Sequence, residues 1–154
     1  NVNRAHIAAE LTRLGYTKSI NEAFDSLLSE ARGLYTPPAR PDLFATVALL
    51  KRLGALAVLA HPLQELSEDE LCELLPRAIK EGLVGIETLH SSFSAEQVAA
   101  AKAIAQKFDL CESGGSDYHG DNKPDIAIAF GKGELRVPIE LYEILSARRE
   151  AKFT

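Results

Sequence analysis

The sequence has two cysteines in 154 residues, too few for a disulfide framework. Cys72 lies in a helical pattern and Cys111 in a strand-like run, so each reads as a buried reduced thiol. A cytoplasmic location is the expectation that follows. No apolar run approaches the roughly 18 residues of a membrane span. No basic-then-apolar leader opens the chain, so no membrane partner is expected. Positive charge is also short: 17 Lys+Arg stand against 22 Asp+Glu, a formal net charge of -5. That argues against a broad basic nucleic-acid surface. It leaves room for a small phosphorylated ligand held through cations, which reverse the sign of a local field. The glycine signatures of Walker and Rossmann sites are missing. So are a serine-hydrolase elbow, an internal repeat and a low-complexity tract. Cys111 has no charged neighbour in sequence that would activate it as a nucleophile.

What remains is ordinary globular material, 46% hydrophobic and 25% charged, long enough for a real core. Asn3 caps a helix that Gly15 stops, with Ile7, Leu11 and Leu14 on one face and His6 and Glu10 on another. A second helix follows Ser19, and the two make a helical hairpin. Residues 31–40, with Gly33, Pro37 and Pro38, read as a loop. Helix then alternates with strand. A helix starting near Pro41 runs to Gly54, and Ala55 to Ala60 is an apolar run suited to a strand buried on both faces. Ser67 with Glu70, and Ser94 with Gln97, are capping boxes that open two more helices. Leu83 to Leu89 and Leu110 to Ser113 are the second and third strands; Ile126 to Phe130 offers a short fourth, and a helix closes the chain from Pro138. Strands alternating with helices predict an α/β fold with a parallel sheet. Two parts are expected, a helical subdomain over 1–40 and βα units over 41–154.

In such folds reactive groups gather at the carboxyl ends of the strands. There the sequence places His61, the Thr88–Ser92 stretch with His90, and Gly114-Gly115-Ser116-Asp117-Tyr118-His119-Gly120. In extended chain Asp117 and His119 point to one side, and histidine with carboxylate suits zinc, iron or manganese. Gly114 and Gly115 allow tight backbone approach and a positive φ. Taken alone, the stretch is either a capped turn or a metal site. His61 arrives from a nearby strand and favours the second reading. His90 is either a polar loop residue or a substrate contact. Glu87 either points into the mouth of the sheet or pairs with a base. His6 either pairs with Glu10 at the surface or joins Arg4 in a phosphate clamp.

These motifs resemble the polymerase and histidinol phosphatase (PHP) superfamily, in its group of TrpH-type metal-dependent phosphoesterases. The likeness lies in Arg4-Ala5-His6, Val58-Leu59-Ala60-His61-Pro62, Gly85-Ile86-Glu87 and the glycine turn, and spans nearly the whole chain in the same order. It implies a distorted (β/α)7, TIM-like barrel with two or three divalent metal ions (manganese, zinc or iron) at the strands' carboxyl ends, and an inserted helical subdomain. His61, Asp117 and His119 match metal-ligand positions. Asp117 and His119 would also serve catalysis, and Arg4, His6 and His90 the substrate. The implied reaction is hydrolysis of a phosphomonoester or phosphodiester, a nucleotide or short RNA end among the candidates. The family's amino-terminal His-x-His segment, and the His and Glu ligands after it, are absent from these residues. Phe93 stands where relatives often have a second histidine. The chain opens at Asn1 already reading as a helix start, as a cut-out of a longer chain would. These 154 residues alone are therefore expected to show little turnover. The alternative is a non-catalytic binding module on a degenerate barrel of this type.

Overall fold

The computed structural model describes residues 2–32, 35–36 and 39–153. Gly33, Pro37 and Pro38 of the expected loop lie outside them. The chain forms two compact units that meet in sequence at Arg40 and Pro41.

The first unit pairs α1 (Arg4–Arg13) with α2 (Ile20–Asp25). Asn3 caps α1 by accepting from the His6 N–H, and His6 Nδ1 accepts in return from the Asn3 N–H at 3.2 Å. Ala8 and Ala23 are fully buried against Leu28, with Leu11, Ile20 and Phe24 around them. Two alanines in register let the helices approach closely, which turns the buried face toward Ala8 and leaves Ile7 and Leu14 exposed. The expected His6–Glu10 pair does not form. Glu10 instead takes the Arg13 guanidinium at two points, 2.6 and 2.7 Å.

The second unit contains α3 (Leu43–Arg52), β1 (Ala57–Leu59), α4 (Glu68–Glu81), β2 (Leu83–His90), α5 (Ala95–Lys107), β3 (Cys111–Gly115) and α6 (Ile139–Phe153). The three strands are parallel in the order β1-β2-β3. Both expected capping boxes form, at Ser67 and Ser94, while Asp42 rather than Pro41 starts α3. Leu71 and Leu75 of α4 and Ile86 of β2 are fully buried together with Ala101 and Ala105 of α5. β2 is the central strand, paired on both sides, and buried residues follow one another along it.

Close approach of β2 to β3 depends on Gly85. A Cβ there would lie 2.6 Å from the Cys111 carbonyl oxygen, and backbone cannot yield as a side chain can. Gly85→Ala is therefore expected to lower unfolding free energy by about 1–3 kcal/mol, the range for overpacking. Denaturant unfolding checks it; an unchanged midpoint would contradict the close approach.

The fourth strand does not form. Ala127 and Gly131 exchange two backbone hydrogen bonds, 2.7 and 3.0 Å, and the chain reverses between them with Ala129 and Gly131 at positive φ. The alternation of Ile126, Ile128 and Phe130 suggested a strand, but only Ile126 of the three is buried, and among the described residues no strand pairs with it. Among the described residues no helix is long and apolar enough to cross a membrane.

Candidate metal and phosphate site

At the carboxyl end of β1 the chain turns sharply. His61 sits in the left-handed region at φ 31°, and Pro62–Gln64 form a single 3-10 turn after it. A histidine there is uncommon, and the strain is held by what surrounds it. Glu87, on β2, accepts the His61 N–H on Oε2 at 2.7 Å. His61 Nδ1 is buried and has no hydrogen-bond partner among the described residues. A buried imidazole nitrogen without a partner costs free energy unless a ligand completes it.

Glu87 is half-buried. Burial pushes its carboxyl above the usual glutamate range; the bond and charge of His61 oppose that, and the Asp117 charge adds to it. Gly115 leaves it space: a Cβ there would lie 3.1 Å from Glu87 Oε1. His90, expected at a loop, is instead the last residue of β2 and is buried. Its Nδ1 receives the Gln64 amide at 3.0 Å and the Ser92 backbone N–H at 3.2 Å. With Nδ1 accepting, the proton of neutral His90 lies on Nε2. Burial lowers its pKa, as do the His61 and Lys123 charges, while Asp117 works the other way. The His90 ring centroid is 5.4 Å from that of His61 and 5.3 Å from Phe93.

The glycine turn is built differently from the expectation. Gly114 and Gly115 belong to β3, and their value is closeness rather than handedness: a Cβ on Gly114 would sit 2.8 Å from Leu89 Cβ. The left-handed residues are Asp117 at φ 55° and Gly120 at φ 60°. Asp117 and His119 are thus joined by a turn and not by extended chain. His119 Nδ1 donates to the Asp117 carbonyl at 2.7 Å, which leaves Nε2 as its lone-pair nitrogen. Metal-binding histidines are oriented by this kind of bond. Lys123 donates to Asp117 Oδ2. Burial pushes the Asp117 carboxyl up, but the Lys123 bond and charge, with His119 and His61, outweigh it and hold the pKa below the usual aspartate range.

His61, Glu87, His90, Asp117 and His119 therefore belong to one end of the sheet. His61 and Asp117 follow the two outer strands and not adjacent ones; Glu87 and His90 fill the space between. Among the described residues no three His, Cys, Asp or Glu side chains converge closely enough to enclose a metal ion. The donor chemistry nonetheless fits a partial centre: an unpartnered buried nitrogen, an ionised carboxylate and an oriented imidazole. Arg4 and His6 lie in the other unit. There Arg4 stacks over Phe24 and Tyr35, 4.8 and 5.1 Å from the ring centroids, and its Nε is buried without a partner among the described residues. The roles of Gln64, Ser92 and Lys123 were missed. Only the Asn122–Pro124 turn hinted at Lys123. Cys111, without a positive neighbour in sequence, has the Arg148 guanidinium 3.6 Å from its sulfur.

No protein-family profile matches the chain. Over 67 residues it is 45% identical to a phosphoribosyl 1,2-cyclic phosphate 1,2-diphosphodiesterase of Eggerthella lenta, a match covering 44% of this chain and 24% of that protein. Over 119 residues, 77% of this chain, it is 26% identical to a 5'-3' exoribonuclease of Haemophilus influenzae and 28% identical to the 5'-3' exoribonuclease Rnm of Escherichia coli, covering 43% and 41% of them. Among solved structures, a Bifidobacterium adolescentis protein assigned as a metal-dependent phosphoesterase aligns with 96% of this chain and 50% of its own length, at TM-score 0.77 and 29% identity. An amidohydrolase of Chromobacterium violaceum shares the fold at TM-score 0.73 and 24% identity, with 96% of this chain and 51% of that chain covered. The chain spans less than half the length of each of these curated relatives.

Proposed function

We propose that this chain, which is similar to a phosphodiesterase, two 5'-3' exoribonucleases and a metal-dependent phosphoesterase, forms one wall of a phosphoesterase site of the polymerase and histidinol phosphatase type. The whole protein would hydrolyse a phosphomonoester or phosphodiester, with a nucleotide or RNA end as substrate. The parallel α/β unit would be part of a distorted (β/α)7 barrel, and residues 1–40 a helical subdomain inserted in its sequence. The observation that carries the reading is the His119 Nδ1 bond to the Asp117 carbonyl, which frees Nε2 beside an ionised carboxylate.

His61, Asp117 and His119 would hold metal, although among the described residues no three donors enclose an ion by themselves. Two or three divalent ions, manganese, zinc or iron, suit these donors. When bound they supply Lewis acidity toward phosphoryl oxygens and a nucleophilic water near neutral pH. The chain's own residues do the rest. Glu87 fixes the His61 backbone through its N–H. His90 offers its Nε2–H to a substrate oxygen, because Nδ1 is engaged by Gln64 and Ser92. Lys123 keeps Asp117 ionised. Arg4 and His6 are proposed as substrate contacts on the resemblance of Arg4-Ala5-His6 alone.

The test is hydrolysis of p-nitrophenyl phosphate by the whole protein. Activity is expected to vanish with EDTA and return with added manganese or zinc. Undiminished turnover in excess chelator would overturn the reading. A binding module would show no turnover under any metal.

A further inference from the structure

The turn after β3 does more than present Asp117 and His119: it brings a lysine back onto the first of them. Asp117 and Gly120 both have positive φ, 55° and 60°, and a single 3-10 turn spans Gly120–Asn122. The Lys123 N–H closes that turn on the Gly120 carbonyl at 3.1 Å, and the Lys123 carbonyl accepts the Ile126 N–H at 3.0 Å. Ile126 is buried, so the backbone is tied down on both sides of Lys123. From there the side chain reaches six residues back, and its ammonium donates to Asp117 Oδ2.

This pair is not an ordinary surface ion pair. The Asp117 side chain is less exposed than that of Lys123, so the carboxylate lies deeper than the ammonium. The Lys123 charge is also felt at His90, together with those of His61 and Asp117, so it acts within the candidate site. Asp117 Oδ1 lies 3.5 Å from His119 Nδ1, whose proton goes to the Asp117 carbonyl. Of the two carboxylate oxygens, Oδ2 is the one held by a full cation. A metal ion drawn to Asp117 meets that occupied oxygen and is repelled by the same ammonium.

Resting on the reading of Asp117 as a metal ligand, we infer that Lys123 is an internal counter-cation for Asp117, which a divalent ion displaces from Oδ2 in order to bind. Lys123 thereby sets the affinity a metal must exceed to enter the site. One unit charge about 6 Å from a divalent ion in a water-like dielectric weakens binding about tenfold. If Lys123 instead oriented Asp117 for the metal, as partners of ligating carboxylates do, its removal would weaken binding. The two roles differ in sign.

The test titrates manganese and zinc, each alone, into metal-stripped whole protein near neutral pH, where an aspartate is ionised with or without a lysine beside it. Lys123→Ala is expected to bind each metal about tenfold more tightly than wild type. Lys123→Met keeps most of the side chain's length without its charge and should behave as the alanine does. Lys123→Arg keeps the charge and should bind metal as wild type does. Thermal unfolding supplies a second readout. Without metal, Lys123→Ala should unfold at a lower temperature than wild type, because Asp117 has lost its counter-charge. With metal at equal concentration the difference should shrink or reverse, since the variant binds more tightly. A merely structural lysine would lower the midpoint equally in both conditions. Equal or weaker metal binding by both uncharged variants, with wild type binding metal, overturns the counter-cation and leaves the metal site standing. If neither wild type nor variants bind metal, both fail.

Discussion

Replacing Asp117 and His119 together by alanine is expected to reduce phosphoester hydrolysis by the whole protein about a thousandfold or more, since losing several kcal/mol of charge stabilisation costs a factor of ten per 1.36 kcal/mol. The two residues act as a unit. One turn holds both, and the backbone carbonyl of the first orients the ring of the second. Separate replacement should therefore cost nearly as much as joint replacement. The fold should survive. The His119 side chain is 52% exposed and carries little packing; that of Asp117 is only 24% exposed, so folding of the variant is checked by circular dichroism. Removing Asp117 also frees Lys123, whose ammonium then acts on His90 without its counter-charge. That adds repulsion toward a cation and deepens the loss. A double variant within about tenfold of wild type, folded by circular dichroism, would remove these residues from the chemistry.

The second large effect is at Glu87, a positioning residue. Glu87→Ala takes away the only acceptor found for the His61 N–H among the described residues. An unmet buried donor costs about 1–3 kcal/mol. The same change releases His61 from its left-handed conformation, which the bond helps hold. Loss of a partner that orients a ligand typically weakens metal binding about tenfold to a hundredfold. Glu87→Ala should thus show both a lower unfolding midpoint and weaker metal retention in a chelator competition. Glu87→Gln separates the two. Its amide oxygen can still accept from His61, so most stability should remain, while the negative charge is gone and metal retention still falls. An alanine variant equal to wild type in both measurements would show that Glu87 does not position His61.

Much of this was readable before any coordinates. The Ser67–Glu70 and Ser94–Gln97 boxes marked two helix starts, because capping is a local bargain between a side chain and the next turn. The apolar runs before His61, Glu87 and Asp117 gave the three parallel strands, and with them the end of the sheet where polar groups meet. Most of the failures are non-local. Nothing near His90 in sequence says that Gln64 will reach its Nδ1, and so it read as a loop residue. Gly114 and Gly115 looked like turn glycines. Only the neighbouring Leu89 shows that they serve strand contact, while the strained conformation passes to Asp117. Alternation in Ile126–Phe130 was a true periodic signal without a partner strand to use it. Cys111 lacked a positive neighbour in sequence and gained Arg148 in space, across 37 residues. His6, placed with Glu10 by helical spacing, was taken by the cap of its own helix.

The central claim is that His61, Asp117 and His119 are metal ligands. Elemental analysis of the purified whole protein tests it most directly, comparing wild type with His61→Ala/Asp117→Ala/His119→Ala. The wild type should carry on the order of two or three equivalents of manganese, zinc or iron, as clustered-metal hydrolases do, and the triple variant at least about one equivalent fewer. Equal metal content in the two proteins, or none in a wild type purified without chelator and active, would contradict it.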